Sequence, residues 1–256
     1  MVFAPPLAVA LAEGAWLLAV ALGAAILPPL AGAALAIRYP AQRDLRQIEA
    51  VAVLVLLFLG AAALAVPAFM TLGMTPVNAL FESVSNITST GLTLAQGTMD
   101  WPLAGHVLRA WMQWCGGFAI ALAGVALILG PGSSRGAASS LGRAGLNERD
   151  ILSSTRTQAR ALLLAYGVLT VVAVLVFLPL FPSWWEGLVI ALTAVSTGGF
   201  TPRPDSLASY SRAAQGAVLL VCLASAFSLM FYVRVRRDGL RTAFFSTNAA
   251  AMVGFA

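Results

Sequence analysis

The sequence predicts an all-α integral membrane protein: an N-terminal span, then two copies of a span, a short helix, a hydroxyl–glycine turn and a second span. Three observations predict it. Of the 256 residues, 60% are hydrophobic and 10% charged, and the mean hydropathy is +0.89. A soluble domain is about 25% charged, so these charges cannot cover a water-facing surface of ordinary area. The apolar residues fall into long runs, where each bilayer crossing takes roughly 20 residues and the length leaves room for about six. Lastly, Thr88-Ser89-Thr90-Gly91-Leu92-Thr93 and Ser196-Thr197-Gly198-Gly199-Phe200-Thr201 each follow a short, half-apolar segment.

Taken in order, residues 1–47 form an N-terminal membrane segment and a cytoplasmic loop. Gly14 to Ile37 reads as the span, although Pro28-Pro29 interrupt it. Met1 to Leu11 is too short to cross alone and lacks the positive start of a secretory signal. Residues 48–129 form the first repeat. Its spans run from about Ile48 to Met70 and from about Ala104 to Leu129. Between them, Thr75 to Thr88 is a helix of about four turns, too short and too polar to span. Residues 130–157 are rich in Gly, Ser and Arg and read as a linker. Residues 158–233 repeat the pattern, with spans at Gln158 to Pro179 and Ala213 to Val233 and a short helix at Ser183 to Val195. Residues 234–256 open with a basic cluster. Thr242 to Ala256 then turns apolar, which reads as the beginning of a third repeat. Repeats of this kind in membranes often flank a transport path.

The net charge is +5, and all fifteen basic residues are arginines. A basic balance suits nucleic acid, but these arginines sit in short clusters between apolar runs, the pattern of cytoplasmic loops. No nucleic-acid partner is expected; membrane lipid is. Twelve arginines fall on one side: Arg38, Arg43 and Arg46, then five from Arg135 to Arg160, then Arg234, Arg236, Arg237 and Arg241. That side faces the cytoplasm, so both glycine turns enter from outside.

Enzymatic chemistry finds no support. There is no Ser/His/Asp, Cys/His or paired-carboxylate set, and Cys115 and Cys222 lie apart in apolar runs. Gly130-Pro131-Gly132-Ser133-Ser134-Arg135-Gly136 lacks the strand and spacing of a phosphate loop, and the sequon Asn86-Ile87-Thr88 lies inside a turn. No cofactor is expected in this chain.

The turns are where chemistry is possible. Irregular backbone cannot face lipid, because each unpaired N–H or C=O costs several kcal/mol there. It survives where it lines a watery path, and there its carbonyls can replace the water around a cation. Glycine gives the dihedrals such a turn needs, hydroxyls secure it, and the preceding helix aims its negative end at the ion.

Leu80-Phe81-Glu82-Ser83-Val84-Ser85 leading into the first turn resembles the first pore loop of the Trk/Ktr/HKT-type potassium transporters. Ala110-Trp111-Met112-Gln113-Trp114-Cys115-Gly116-Gly117 is similar to the start of their next helix. Ala194-Val195 with the second turn resembles the second pore loop of the bacterial Trk branch. The resemblance implies half of a four-repeat, potassium channel-like fold in the bacterial inner membrane. It implies that carbonyls of Ser89, Thr90, Gly91, Thr197, Gly198 and Gly199 hold potassium, the substrate. It also implies two partners: a second half of the transporter or a homo-oligomer, and a cytoplasmic nucleotide-binding regulatory subunit. The competing expectation is a truncated or non-conducting membrane subunit with a structural or regulatory role.

Other residues carry open alternatives. Glu82 and Glu186, one in each short helix, either concentrate cations at a pore mouth or are hydrogen-bonded at a polar interface. Arg109 pairs with Asp100 or Glu82, or snorkels outward. His106 reads as interfacial, and Trp101, Trp111, Trp114 and Trp184-Trp185 as an outer aromatic belt.

Overall fold

A computed structural model describes residues 2–39, 47–129 and 148–227. The loop at 40–46, most of the expected linker (130–147), the end of the fifth span and the basic segment lie outside the described residues. Among the described residues the regular structure is entirely helical.

Helix α1 (Ala4–Glu13) starts with proline in its first turn, where no intrahelical N–H is needed. Gly14 ends it at φ 72°, with its N–H and that of Ala15 turned back to the carbonyls of Leu11 and Ala10. Helix α2 (Trp16–Arg38) and helix α3 (Gln47–Thr71) follow. Both carry proline inside, which a membrane helix tolerates when its surroundings satisfy the freed carbonyl. Thr75 then caps α4 (Pro76–Ile87), its hydroxyl accepting from the Asn78 N–H. Helix α5 (Leu103–Leu129) returns through about 40 Å at 1.5 Å per residue. The second copy comprises α6 (Glu148–Phe177), α7 (Trp184–Val195) and α8 (Arg212–Ala226).

Trp16–Arg38, Ile48–Thr71 and Ala159–Phe177 are long and apolar enough to cross a membrane. Helix α6 begins ten residues before the boundary read from hydropathy, so the end of the expected linker, 148–157, is helical. Hydropathy marks where a helix becomes apolar, and a helix that projects beyond the apolar zone begins earlier.

Two cores are joined by α5. One packs α1 to α5 around Leu22, Phe69, Leu108 and Met112. Fully buried alanines at 65, 68 and 79 let those backbones approach closely. The other packs α6, α7 and α8 around Phe177, Ile190 and Tyr210, with Trp114 and Phe118 of α5 against it. Val107 and Ala110 of α5 meet Val189 and Leu192 of α7. Helix α5 therefore belongs to the first repeat by sequence and touches both turns by position.

Candidate functional site

The two copies keep one register. Helices α4 and α7 are each 12 residues long, and Ser89/Thr197 and Gly91/Gly199 are both pairs 108 positions apart. Ser89 and Thr197 have φ of 54° and 55°, and Gly91 and Gly199 have 81° and 83°. Thr90 and Gly198, between them, are not in this left-handed region. In an extended chain, successive carbonyls point to opposite sides. Reversing alternate residues turns them to the same side, which a carbonyl-lined path requires.

Left-handed backbone costs a non-glycine residue about 1–2 kcal/mol, so Ser89 and Thr197 need support. The same bonds supply it in both copies. The N–H groups of Thr90 and Gly198 reach the carbonyls of Ser85 and Thr193, each at 2.9 Å. The hydroxyl of Ser85 donates to the Leu92 carbonyl at 2.6 Å, and that of Thr193 to the Phe200 carbonyl at 2.9 Å. Ser89 Oγ adds a bond to the Gln113 carbonyl at 2.8 Å.

The turns meet each other. A Cβ on Gly91 would lie 1.7 Å from the Gly198 carbonyl oxygen. A Cβ on Gly198 would lie 2.4 Å from Gln113 Oε1. Gly199 faces open space, so its φ is its only demand for glycine. Two further glycines let α5 approach both short helices. A Cβ on Gly116 would lie 1.8 Å from the Ile87 carbonyl oxygen, and one on Gly117 would lie 2.9 Å from Ser196 Cβ.

Each copy also has an ion pair. Glu82 is fully buried and lies 3.0 Å from Arg109 Nε. Its Oε2 accepts from Thr93 Oγ1 at 2.9 Å and from the Leu94 N–H at 3.3 Å. Glu186 pairs with Arg203 at 3.3 Å, and that arginine is 26% exposed. Tyr210 also donates to Glu186, at 2.5 Å. Burial, and then the carboxylate of Glu186, push the Tyr210 phenol above its usual value. The bond to Glu186 likewise holds Arg203 charged. Both glutamates are thus hydrogen-bonded and paired, and Glu82 rather than Asp100 is the partner of Arg109.

Some expectations change. His106 is buried, between Trp101 at 6.3 Å and Trp185 at 5.2 Å, rather than interfacial. Trp111 and Trp114 stack at 4.9 Å on the side of α5 that meets the second copy, and Trp114 Nε1 donates to Thr170 at 2.9 Å. Of the tryptophans expected in a belt, Trp184 is the one left largely exposed. Aromatics spaced three apart on an apolar helix suit helix packing as well as an interface, and here packing takes them. Sequence reading also passed over Gln113, Ser85 and Thr193 as supports of the turns. Ser85 and Thr193 were accessible in principle, because each stands four residues before its left-handed residue.

A family model described as TrkH, a cation transport protein, matches residues 50–254. The Trk system potassium uptake protein TrkH of Halomonas elongata is 29% identical over 183 residues, covering 69% of this chain and 37% of that protein. TrkI of the same organism is 31% identical over 62% of this chain and 33% of its own length. TrkG of Escherichia coli is 26% identical over 62% of this chain and 32% of its own length. The chain thus spans about a third of the length of the curated relatives it matches. The crystal structure of the potassium transporter TrkH from Vibrio parahaemolyticus superposes with a TM-score of 0.76 at 21% identity, over 95% of this chain and 50% of that one. Shared fold, shared sequence and the matched region agree: this multi-pass membrane chain belongs to the TrkH cation transport protein family.

Proposed function

We propose that the chain supplies two walls of a potassium-selective pore and serves potassium uptake across the bacterial inner membrane, down the electrochemical gradient. The observation that carries this reading is the pair of turns in one register, alternating in hand at Ser89–Gly91 and Thr197–Gly199 and in backbone contact with each other. The printed names of the relatives, potassium uptake proteins of the Trk system, support the choice of ion. The carbonyls of Ser89, Thr90, Gly91, Thr197, Gly198 and Gly199 take the place of water on the ion. Helices α4 and α7 end at these turns, and each directs about half a negative charge toward the ion.

Two turns cover at most half of a cation's surface, and stripping water without replacement is prohibitive in an apolar medium. The pore therefore needs a second half, either the remaining half of the transporter or another copy of this one. The arginine-rich loops face the cytoplasm and a nucleotide-binding regulatory subunit there; both turns open outward.

The decisive experiment places the purified chain in liposomes, with potassium flux and oligomeric state measured together. The expected result is no selective flux from the monomer; selective flux from a demonstrated monomer would overturn the half-pore reading. In cells, an impermeant thiol reagent should label a cysteine at Gly97 and spare one at Ser134. The reverse pattern would turn the pore inward.

A further inference from the structure

We infer that Arg109 is a positioning residue that sets the second turn against the first, and that selectivity depends on the aromatic ring it carries. The inference rests on the pore reading above. Arg109 rises from α5 and is 3% exposed. The edge of its guanidinium is taken up by the first repeat. Nε lies 3.0 Å from Glu82 Oε1, and a terminal nitrogen donates to Thr93 Oγ1 at 3.2 Å. Glu82 in turn holds Thr93 and the Leu94 N–H. The chain leaving Gly91 is thereby tied to this one cation.

The face of the guanidinium belongs to the second repeat. Cζ lies 4.0 Å from the centroid of Phe200, the residue that follows Gly199. Trp101 stands 5.6 Å from the same atom. Phe200 is 3% exposed, and its carbonyl is the one held by Thr193. A planar guanidinium can bond along its edge and stack flat on its face at the same time; an ammonium has neither the planar face nor the fork of donors. Arg109 uses both, one for each turn.

The register argues against a role confined to packing within one repeat. At the turns' spacing of 108 the position matching Phe200 in the first copy is Leu92, and neither Ala217 nor Val218, the positions 108 and 109 residues after Arg109, is charged. Leu92 is 61% exposed. The second repeat has its own cation, Arg203, which pairs with Glu186 and lies 4.6 Å from the Tyr210 centroid, all within that repeat. Among the described residues, Arg109 is the cation that reaches as a strut across the seam between the copies, where Gly91 meets Gly198.

The test uses the protein in its native assembly, in cells lacking other potassium uptake, and reads the ratio of potassium to sodium flux alongside the amount of protein in the membrane. Phe200→Leu removes the ring and leaves the ion pair. It should lower the ratio about fivefold or more at near-parental protein level, whereas Phe200→Tyr, which keeps the ring, should hold it within about twofold. Arg109→Lys should lower it as Phe200→Leu does, and the double variant should be no worse than the worse single. If Arg109→Lys fails to accumulate, the two Phe200 variants decide. An unchanged ratio in Phe200→Leu, or an equal loss in Phe200→Tyr, overturns the inference. Gly91→Ser is measured in parallel. If it lowers the ratio while Phe200→Leu does not, the strut falls and the pore reading stands. If neither variant moves it, the pore reading falls and the strut with it.

Discussion

The two repeats share a backbone and differ in what holds it. Their left-handed residues, turn-closing bonds and hydroxyl–carbonyl ties coincide position for position. Their charges do not coincide. The first repeat buries Glu82 and Arg109 at 0% and 4% side-chain exposure, whereas the second leaves Arg203 at 26% beside Glu186. Duplication has preserved the geometry that would face an ion and left each copy its own way of bracing it. Local bonds within the turn set its shape, and longer-range charges set its place.

Breaking the ion pairs should expose this difference most. Glu82→Gln leaves Arg109 charged, buried and unpaired, a loss of about 3–5 kcal/mol. Arg203→Gln removes a partly exposed pair and should cost about 1 kcal/mol at most. Thermal unfolding in detergent should rank the variants in that order, and equal melting temperatures would erase the distinction between the two braces.

The glycines sharpen the comparison further. Gly91→Ala drives a Cβ into the Gly198 carbonyl and should cost about 1–3 kcal/mol for overpacking, in addition to the left-handed strain. Gly199→Ala meets open space and should cost only that strain, about 1–2 kcal/mol. Binding of potassium to the assembled protein, followed by its protection against heat, should weaken more for Gly91→Ala. On α5, Gly116→Ala should destabilise by about 1–3 kcal/mol although alanine is the better helix former, since the Ile87 carbonyl occupies the space. The matching residue of α8 is already Ala224. There Ala224→Gly should cost about 0.5–1 kcal/mol. If both substitutions shift the melting temperature alike, the tighter seat of α5 has no energetic weight.

The smallest effect is one of pH. The raised Tyr210 phenol contributes stability that is fully present below the unfolded value, near 10. That contribution is lost as pH rises through the higher folded value. Tyr210→Phe should therefore flatten the alkaline limb of the stability profile, and an unchanged limb would detach Tyr210 from Glu186.

Much of this was legible in the sequence, for reasons that differ by element. Spans were legible because roughly 20 apolar residues in a row have few other uses, and the ends of α2 and α3 fall within two residues of expectation. Gly91 and Gly199 were legible because glycine advertises unusual backbone. Ser89 and Thr197 were named with them, but their left-handed backbone was not legible, because their types disfavour the conformation that the hydrogen-bonded turn imposes on them. The start of α6 was hidden because its first turns are polar. Gln113 was hidden because one sequence cannot say which polar residue of α5 faces a turn. The Glu82–Arg109 pair stood among the candidates, yet only the fold brings Phe200 onto the same cation.

One bond made near the N-terminus bears on how the protein is built. The carboxylate of Glu13, the last residue of α1, accepts the backbone N–H groups of Leu103 and Ala104 at 3.0 and 2.8 Å, capping the first turn of α5. About ninety residues separate donor and acceptor, and a ribosome adds roughly 5–20 residues per second. Helix α1 thus waits several seconds for its partner, while α2, α3 and α4 are made between them. Until then α5 cannot acquire its cap. The order of synthesis therefore makes the Glu13 cap a latch that closes only after the first turn has been made.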